Sequence, residues 1–205
     1  MRIAPRDVGV QAETGSRVLT YTELAQIWIA IERSRAATSN KLLHQMLMLW
    51  GARVSELRLS ERREFDLTDW VWTDPKEHSK MHNVIRRPIF EQIKPLLEKA
   101  MNTYDQVLFS GADTCAPITI AAANRYIQRI RESMDIGYWR AHDFRRTLVT
   151  RLSEEGIAPH VTKRMLGHEL AGVMAGYNKH DWIEDQRKAY ELHADKLLWH
   201  VKRGT

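Results

Sequence analysis

His142-Asp143-Phe144-Arg145-Arg146-Thr147 opens a segment in which Phe144, Leu148 and Leu152 recur at the spacing of a single helix face. His142 and Arg145, three positions apart, are then expected on the opposite face, an imidazole and a guanidinium directed at one spot. Working outward, the chain reads as helical from Ile118 almost to its end, interrupted at Gly137, Gly156, Gly167 and Gly176. From about Asp181 to Val201, apolar residues at Ile183, Tyr190, Ala194, Leu197, Leu198 and Val201 predict an amphipathic helix. Toward the N-terminus, Thr20-x-x-Glu23 makes a capping box ahead of the helical stripe Leu24, Ile27, Trp28 and Ile31. A second helix is predicted from about Ser39 to Trp50, ended by Gly51, and a short third one begins near Arg53 with Val54 and Leu57. Between Phe65 and Ile89 the pattern changes. Phe65, Leu67, Val71 and Trp72, and then Asn83 to Ile89, predict short antiparallel strands, after which helical spacing returns at Ile93, Leu96, Leu97 and Met101. The expected fold is mainly α with a small antiparallel β-sheet, an α+β domain. Residues 1–18, with Pro5, Gly9, Gly15 and Ser16, predict a linker or frayed terminus, which leaves 19–180 as the domain and 181–205 as a C-terminal helical tail.

With 205 residues and 43% apolar content, the chain can bury a substantial core. Its net charge of +5 is unevenly spread. Residues 76–87 hold four Lys/Arg against one acid and residues 140–164 hold six against three, so the positive charge gathers in two segments. Such segments suit a polyanionic partner, or a solvated basic surface. The single cysteine, Cys115, excludes an internal disulfide and a Cys-based zinc site. No apolar run approaches the roughly 18 residues of a membrane span, and the N-terminus leads into no signal-peptide core.

Several polar residues stand where chemistry is expected. Arg53 follows Trp50-Gly51-Ala52, and Glu56 is spaced to reach back to it. Gly167 falls where a helix starting near Pro159 should end, so His168 is projected from a fixed corner. Tyr177 follows Gly172, Ala175 and Gly176, a segment with little side chain to hold it rigid, which suits a group that swings in and out of a site. His78 and His82 have the spacing of a helical metal pair, but strands are expected there and no Glu or Cys completes the set, so no metal is expected. The G-x-S-x-G elbow of Ser hydrolases and the glycine-rich phosphate loops of nucleotide enzymes are both absent, so no cofactor is implied.

Taken in order, Arg53 with Glu56, a lysine before the strand to Pro88-Ile89, His142-x-x-Arg145, Leu166-Gly167-His168 and Tyr177 resemble the catalytic domain of the tyrosine recombinases, the phage and genomic-island integrases. The flank Tyr177-Asn178-Lys179-His180-Asp181, with Trp182, is similar to integrases of satellite phages and genomic islands. The resemblance implies the tyrosine recombinase catalytic-domain fold and a set of roles. Arg53 and Arg145 would clamp the scissile phosphate, His168 would donate to the same oxygens, and Tyr177 would attack phosphorus. His142 would be the general acid/base and Glu56 its supporting neighbour. Lys80, with Lys76 as the alternative, would protonate the leaving 5′ oxygen.

These residue types suit the reaction: negative charge building on the phosphate oxygens calls for preorganised cations, and a phenol of pKa about 10 needs a base or a positive field. A covalent 3′-phosphotyrosine would conserve the energy of the broken bond, so neither a metal nor ATP is called for. The implied partners are double-stranded DNA, further copies of the chain in a tetrameric synapse, and accessory DNA-bending proteins, in the cytoplasm on bacterial or phage DNA. A type IB topoisomerase-like activity without synapsis and a noncatalytic DNA-binding remnant remain open beside site-specific integration or excision.

The sequence departs from the family at Trp50-Gly51-Ala52, where relatives carry a Thr-Gly pair, and in leaving no room for the usual N-terminal core-binding domain. It therefore reads as a catalytic fragment with weak, strongly salt-dependent DNA affinity. The tail is expected either to pack on its own domain or to exchange with a neighbouring protomer.

Overall fold

A computed structural model describes residues 17–112, 115–168 and 180–204. Helix α1 (Tyr21–Arg33) starts at the predicted capping box: Thr20 Oγ1 accepts from the Glu23 N–H at 3.1 Å and a Glu23 carboxylate oxygen accepts from the Thr20 N–H at 2.8 Å. Packing begins slightly ahead of the helix. Leu19 is fully buried and its N–H donates to Thr147 Oγ1 at 2.9 Å, while Arg17 pairs with Glu23 and with the Gly137 carbonyl. Helix α2 (Thr38–Trp50) is buried all round from Leu42 onward, the mark of a helix at the centre of a domain. It ends at Gly51, whose left-handed backbone (φ +60°) lets its N–H reach Leu47 O at 2.9 Å. Helix α3 (Val54–Arg58) follows.

A 3-10 turn (Arg62–Glu64) leads into β1 (Phe65–Asp66), β2 (Val71–Asp74) and β3 (Ile85–Pro88), an antiparallel sheet in the order β1-β2-β3. Trp72 stands opposite Phe65 on one side and Arg87 on the other. β1 stops short of the predicted Leu67, which is about half exposed in the turn, because Asp66 Oδ1 accepts from the Thr68 and Asp69 N–H groups and bends the chain there. Helices α4 (Lys94–Thr103), α5 (Ile120–Glu132), α6 (Ala141–Glu154), α7 (Pro159–Met165) and α8 (Ile183–Arg203) complete the described elements.

One hydrophobic core joins the helices to the sheet. Trp50 touches Trp72, Phe65 and Phe90, and its indole N–H donates to the Pro88 carbonyl at 3.1 Å, tying the end of α2 to the end of β3. This core continues into α8, which packs on α1 and β3 of the same chain and buries Ala189, Tyr190, Ala194 and Leu197. Tyr190 stacks on Phe90 at 5.3 Å between centroids. No described helix is long and apolar enough to cross a membrane.

Candidate active site

Four loose ends of this architecture meet at one place: the turn after α2, strand β3, the start of α6 and the corner after α7. Gly51 sets the first contact. A Cβ on it would meet the Arg145 Cα and the Leu148 side chain at 3.5 Å, ordinary contact distances, so the α2–α3 turn rests directly on α6 and it is the left-handed backbone that calls for glycine. Arg145 then bridges two segments: its Nη1 donates to Gly51 O at 2.8 Å and its Nη2 to Leu166 O at 2.5 Å. The residue is 5% exposed, so α6 does not divide as its apolar stripe suggests, and the guanidinium lies in the seam between helices.

Glu56 is fully buried and organises the neighbouring cations. Its carboxylate accepts from the Arg53 backbone N–H at 2.9 Å, from Arg53 Nη1 at 2.6 Å and from Arg87 Nη2 at 2.7 Å. Burial alone would raise its pKa, but Arg87, the Arg53 hydrogen bonds and Arg145 outweigh burial and hold it at about 2. Arg145 is lowered to about 10, chiefly by burial and then by the positive field of Arg87 and Arg53, and stays charged at neutral pH.

His168 leaves the corner at Gly167, whose φ is +64° and whose N–H donates to Arg164 O at 2.8 Å. A Cβ there would stand 2.2 Å from Cδ1 of Ile85, so glycine lets α7 sit against β3 without displacing Ile85. The pKa of His168 is lowered by burial, then by Arg145 and Arg53; that of His142 is lowered by burial, then by Arg145 and Arg146, with Arg53 also contributing. Both imidazoles thus feel the same pair of arginines, which disfavours their charged forms. An arriving anion would reverse that field and make each a better hydrogen-bond donor.

Lys80 and Lys76 are exposed in the connection between β2 and β3. Farther along this connection, Ser79 donates to Asn83 Oδ1 at 2.8 Å and Asn83 Nδ2 donates to Gly167 O at 2.7 Å, which links the lysine-bearing segment to the His168 corner. The structure therefore gathers Arg53, Glu56, His142, Arg145 and His168, with Lys80 on an adjoining exposed segment. Tyr177 lies outside the described residues.

Arg87 is the member that sequence reading overlooked. It is fully buried, holds Glu56, donates from Nε to Met165 O at 3.3 Å and lies over the Trp72 ring at 4.9 Å. Strand alternation carried the signal, since Arg86 and Arg87 cannot both face solvent on β3 and Ile85 marks the inward side. Arg86 is the outward one and pairs with Asp181 at 2.6 Å.

A helical domain with a three-stranded antiparallel sheet, converging on buried arginines and two histidines, has the fold of the tyrosine recombinase catalytic domain. The chain belongs to the phage integrase family, whose model matches residues 17–182. It is similar in structure to a lambda integrase dimer bound to a COC′ core site (TM-score 0.61, 21% identity, 81% of this chain and 59% of that one). It is also similar to the Tn1549 transposon integrase in complex with circular intermediate DNA (TM-score 0.62, 17% identity, 84% and 64%). The catalytic core of lambda integrase aligns with a TM-score of 0.60 at 22% identity, over 74% of this chain and 94% of that one. The chain thus spans less than two thirds of the longer integrase chains it matches. No curated protein sequence matches it.

Proposed function

We propose that this chain is the catalytic part of a site-specific DNA recombinase, which cuts and rejoins DNA through a phosphotyrosine during integration or excision of a mobile element. The observation that carries the reading is the anchoring of Arg53 and Arg145 around one turn: Arg53 is held by buried Glu56, and Arg145 is bonded to Gly51 O. Two guanidiniums fixed in this way are a preorganised receptor for a phosphodiester, and their geometry is set before DNA arrives.

In this reading Arg53 and Arg145 bind the nonbridging oxygens, and His168 donates to the same oxygens. The Tyr177 hydroxyl oxygen forms a bond to phosphorus as the bond from phosphorus to the 5′ oxygen breaks. His142, whose charged form is disfavoured by burial and by Arg145, takes the phenolic proton. Lys80 gives a proton to the departing 5′ oxygen, with Lys76 as the alternative donor. Reversal with a new 5′ hydroxyl rejoins the strand and frees the tyrosine. Glu56 and Arg87 position the arginines without touching DNA. The basic segments 76–87 and 140–164 supply the general attraction to duplex DNA. Several copies would assemble on paired sites, as in the lambda integrase tetramer bound to a Holliday junction, with accessory DNA-bending proteins where a site calls for them.

A nicked duplex that loses its short 5′ fragment on cleavage tests the proposal, because the covalent product is then trapped. Wild-type protein should form a DNA adduct that peptide mapping places on Tyr177, and Tyr177→Phe should bind the duplex without forming it. Absence of any adduct with intact DNA binding would point to a noncatalytic remnant. Cleavage without pairing of two sites would point to topoisomerase-like chemistry.

A further inference from the structure

We propose that Glu64, Asp74 and His78 form a binding site for a divalent transition-metal ion, with Zn²⁺ the best match, at the base of the β2–β3 connection. The sequence pairs His78 with His82, but the fold separates them: His82 is exposed, whereas His78 turns back toward the last residue of the 3-10 turn and the last residue of β2. One ligand atom from each of Glu64, Asp74 and His78 lies within 4.8 Å of the other two.

The separations match ligands better than hydrogen bonds. His78 Nδ1 is 3.6 Å from Glu64 Oε1 and 3.6 Å from Asp74 Oδ1, too far for a hydrogen bond. Ligands about 2.0–2.2 Å from a tetrahedral Zn²⁺ stand roughly 3.3–3.6 Å from one another.

The groups also lack other satisfaction. Asp74 is fully buried, yet neither of its carboxylate oxygens has a hydrogen-bond partner, and His78 Nδ1 is likewise buried without one. Arg87 Nη1 lies 3.6 Å from Asp74 Oδ2, but Arg87 makes its close ion pair with Glu56 at 2.7 Å. A buried carboxylate whose guanidinium neighbour stands 3.6 Å away and is shared with Glu56 is only partly compensated, and a cation bound at its oxygens would complete the compensation. Glu64 is already aimed: the Trp72 indole N–H donates to its Oε2 at 3.1 Å, leaving Oε1 on the His78 side, the kind of support that orients metal-bound carboxylates.

Two carboxylates and one imidazole balance a dication. The imidazole favours a first-row transition ion over Mg²⁺ or Ca²⁺, which prefer oxygen. Three protein ligands leave a fourth position toward the surface cleft lined by Arg63, Asp66, Thr73 and Glu77, which provides an entry path. The site is independent of the DNA chemistry proposed above. Its effect on that chemistry would be to fasten the start of the segment carrying Lys80.

The 205-residue chain, stripped with a chelator, should be titrated with Zn²⁺ by calorimetry and with Co²⁺ by visible absorption. One equivalent of each should bind, Co²⁺ giving the intense bands of a low-coordinate N/O site. At 100 times Kd, Zn²⁺ should raise the thermal midpoint by roughly 5–10 °C. His78→Gln and Asp74→Asn should each abolish the stoichiometric site and the thermal shift, while His82→Gln should keep both. His78 is partly exposed, so its variant tests the site even if Asp74→Asn does not fold. The proposal is overturned if wild type shows no saturable binding at one equivalent, or if binding survives His78→Gln, which would mark adventitious capture by surface histidines.

Discussion

Gly167→Ala should damage this protein by two separable routes. The φ of +64° costs a residue with a Cβ about 1–2 kcal/mol. The new Cβ would also lie 2.2 Å from Ile85 Cδ1 and 2.6 Å from Cγ1, an overlap that rotamer changes and backbone shifts relieve at about 1–3 kcal/mol. The expected loss is therefore about 2–5 kcal/mol, a large share of the ~5–15 kcal/mol of a typical domain. Ile85→Ala removes the clashing atoms. On its own it should cost about 2–5 kcal/mol for the buried side chain. In that background, however, Gly167→Ala should cost only the backbone part, giving a coupling of about 1–3 kcal/mol. Urea unfolding of the four proteins, followed by tryptophan fluorescence, measures every side of the cycle. Equal cost of Gly167→Ala in both backgrounds, or a cost below about 0.5 kcal/mol, would refute the argument that α7 and β3 touch through this glycine. Where relief of the clash moves residues 167–168 away from β3, it strains the Asn83 bond to Gly167 O, so the single variant should also lose DNA adduct formation under conditions where it remains folded.

Glu56 should make stability depend on acid. Its folded pKa of about 2 lies below the ordinary carboxylate value, so its contribution, about 3 kcal/mol, is present above pH ~4.5 and is lost as pH falls toward 2. Urea midpoints between pH 6 and 2.5 should show the fall, and Glu56→Gln should flatten it; an unchanged slope in the variant would assign the acid response to other groups. Arg145→Lys should lower the rate of DNA adduct formation by about 10²–10³, because one ammonium cannot reach Gly51 O and Leu166 O while facing a phosphate; single-turnover cleavage of the nicked duplex reads it. Ending the chain at Trp182 should abolish cooperative unfolding, since α8 buries Tyr190 and Leu197 at about 1.5–3 kcal/mol each, together with several smaller residues. A truncated protein that melted as sharply as the full chain in calorimetry would show that α8 is dispensable to its own domain.

What could be read from the sequence was local. The capping box at Thr20 and Glu23, the end of α2 at Gly51 and the helix that carries His142 each depend on neighbours within a few positions, where spacing and backbone preference act directly. The order of Arg53, Glu56, His142, Arg145 and His168 could also be read along the chain, as a resemblance to the tyrosine recombinases. Spacing along the chain also separated helices from strands, though not where β1 would stop, because a side-chain bond from Asp66 decided that.

Tertiary structure decided which charges are buried and what they face. Arg87 read as one more surface cation until β3 turned it inward onto Glu56, and Arg145 as an outward group until α6 met the Gly51 turn. Glu64, Asp74 and His78 gave no metal pattern in sequence, because a turn, a strand end and a loop had to be folded together before they became neighbours. The physical reason is common to all three: helical and strand periodicity report the side of an element on which a residue falls. Desolvation and electrostatic pairing depend on what the rest of the chain brings to that side.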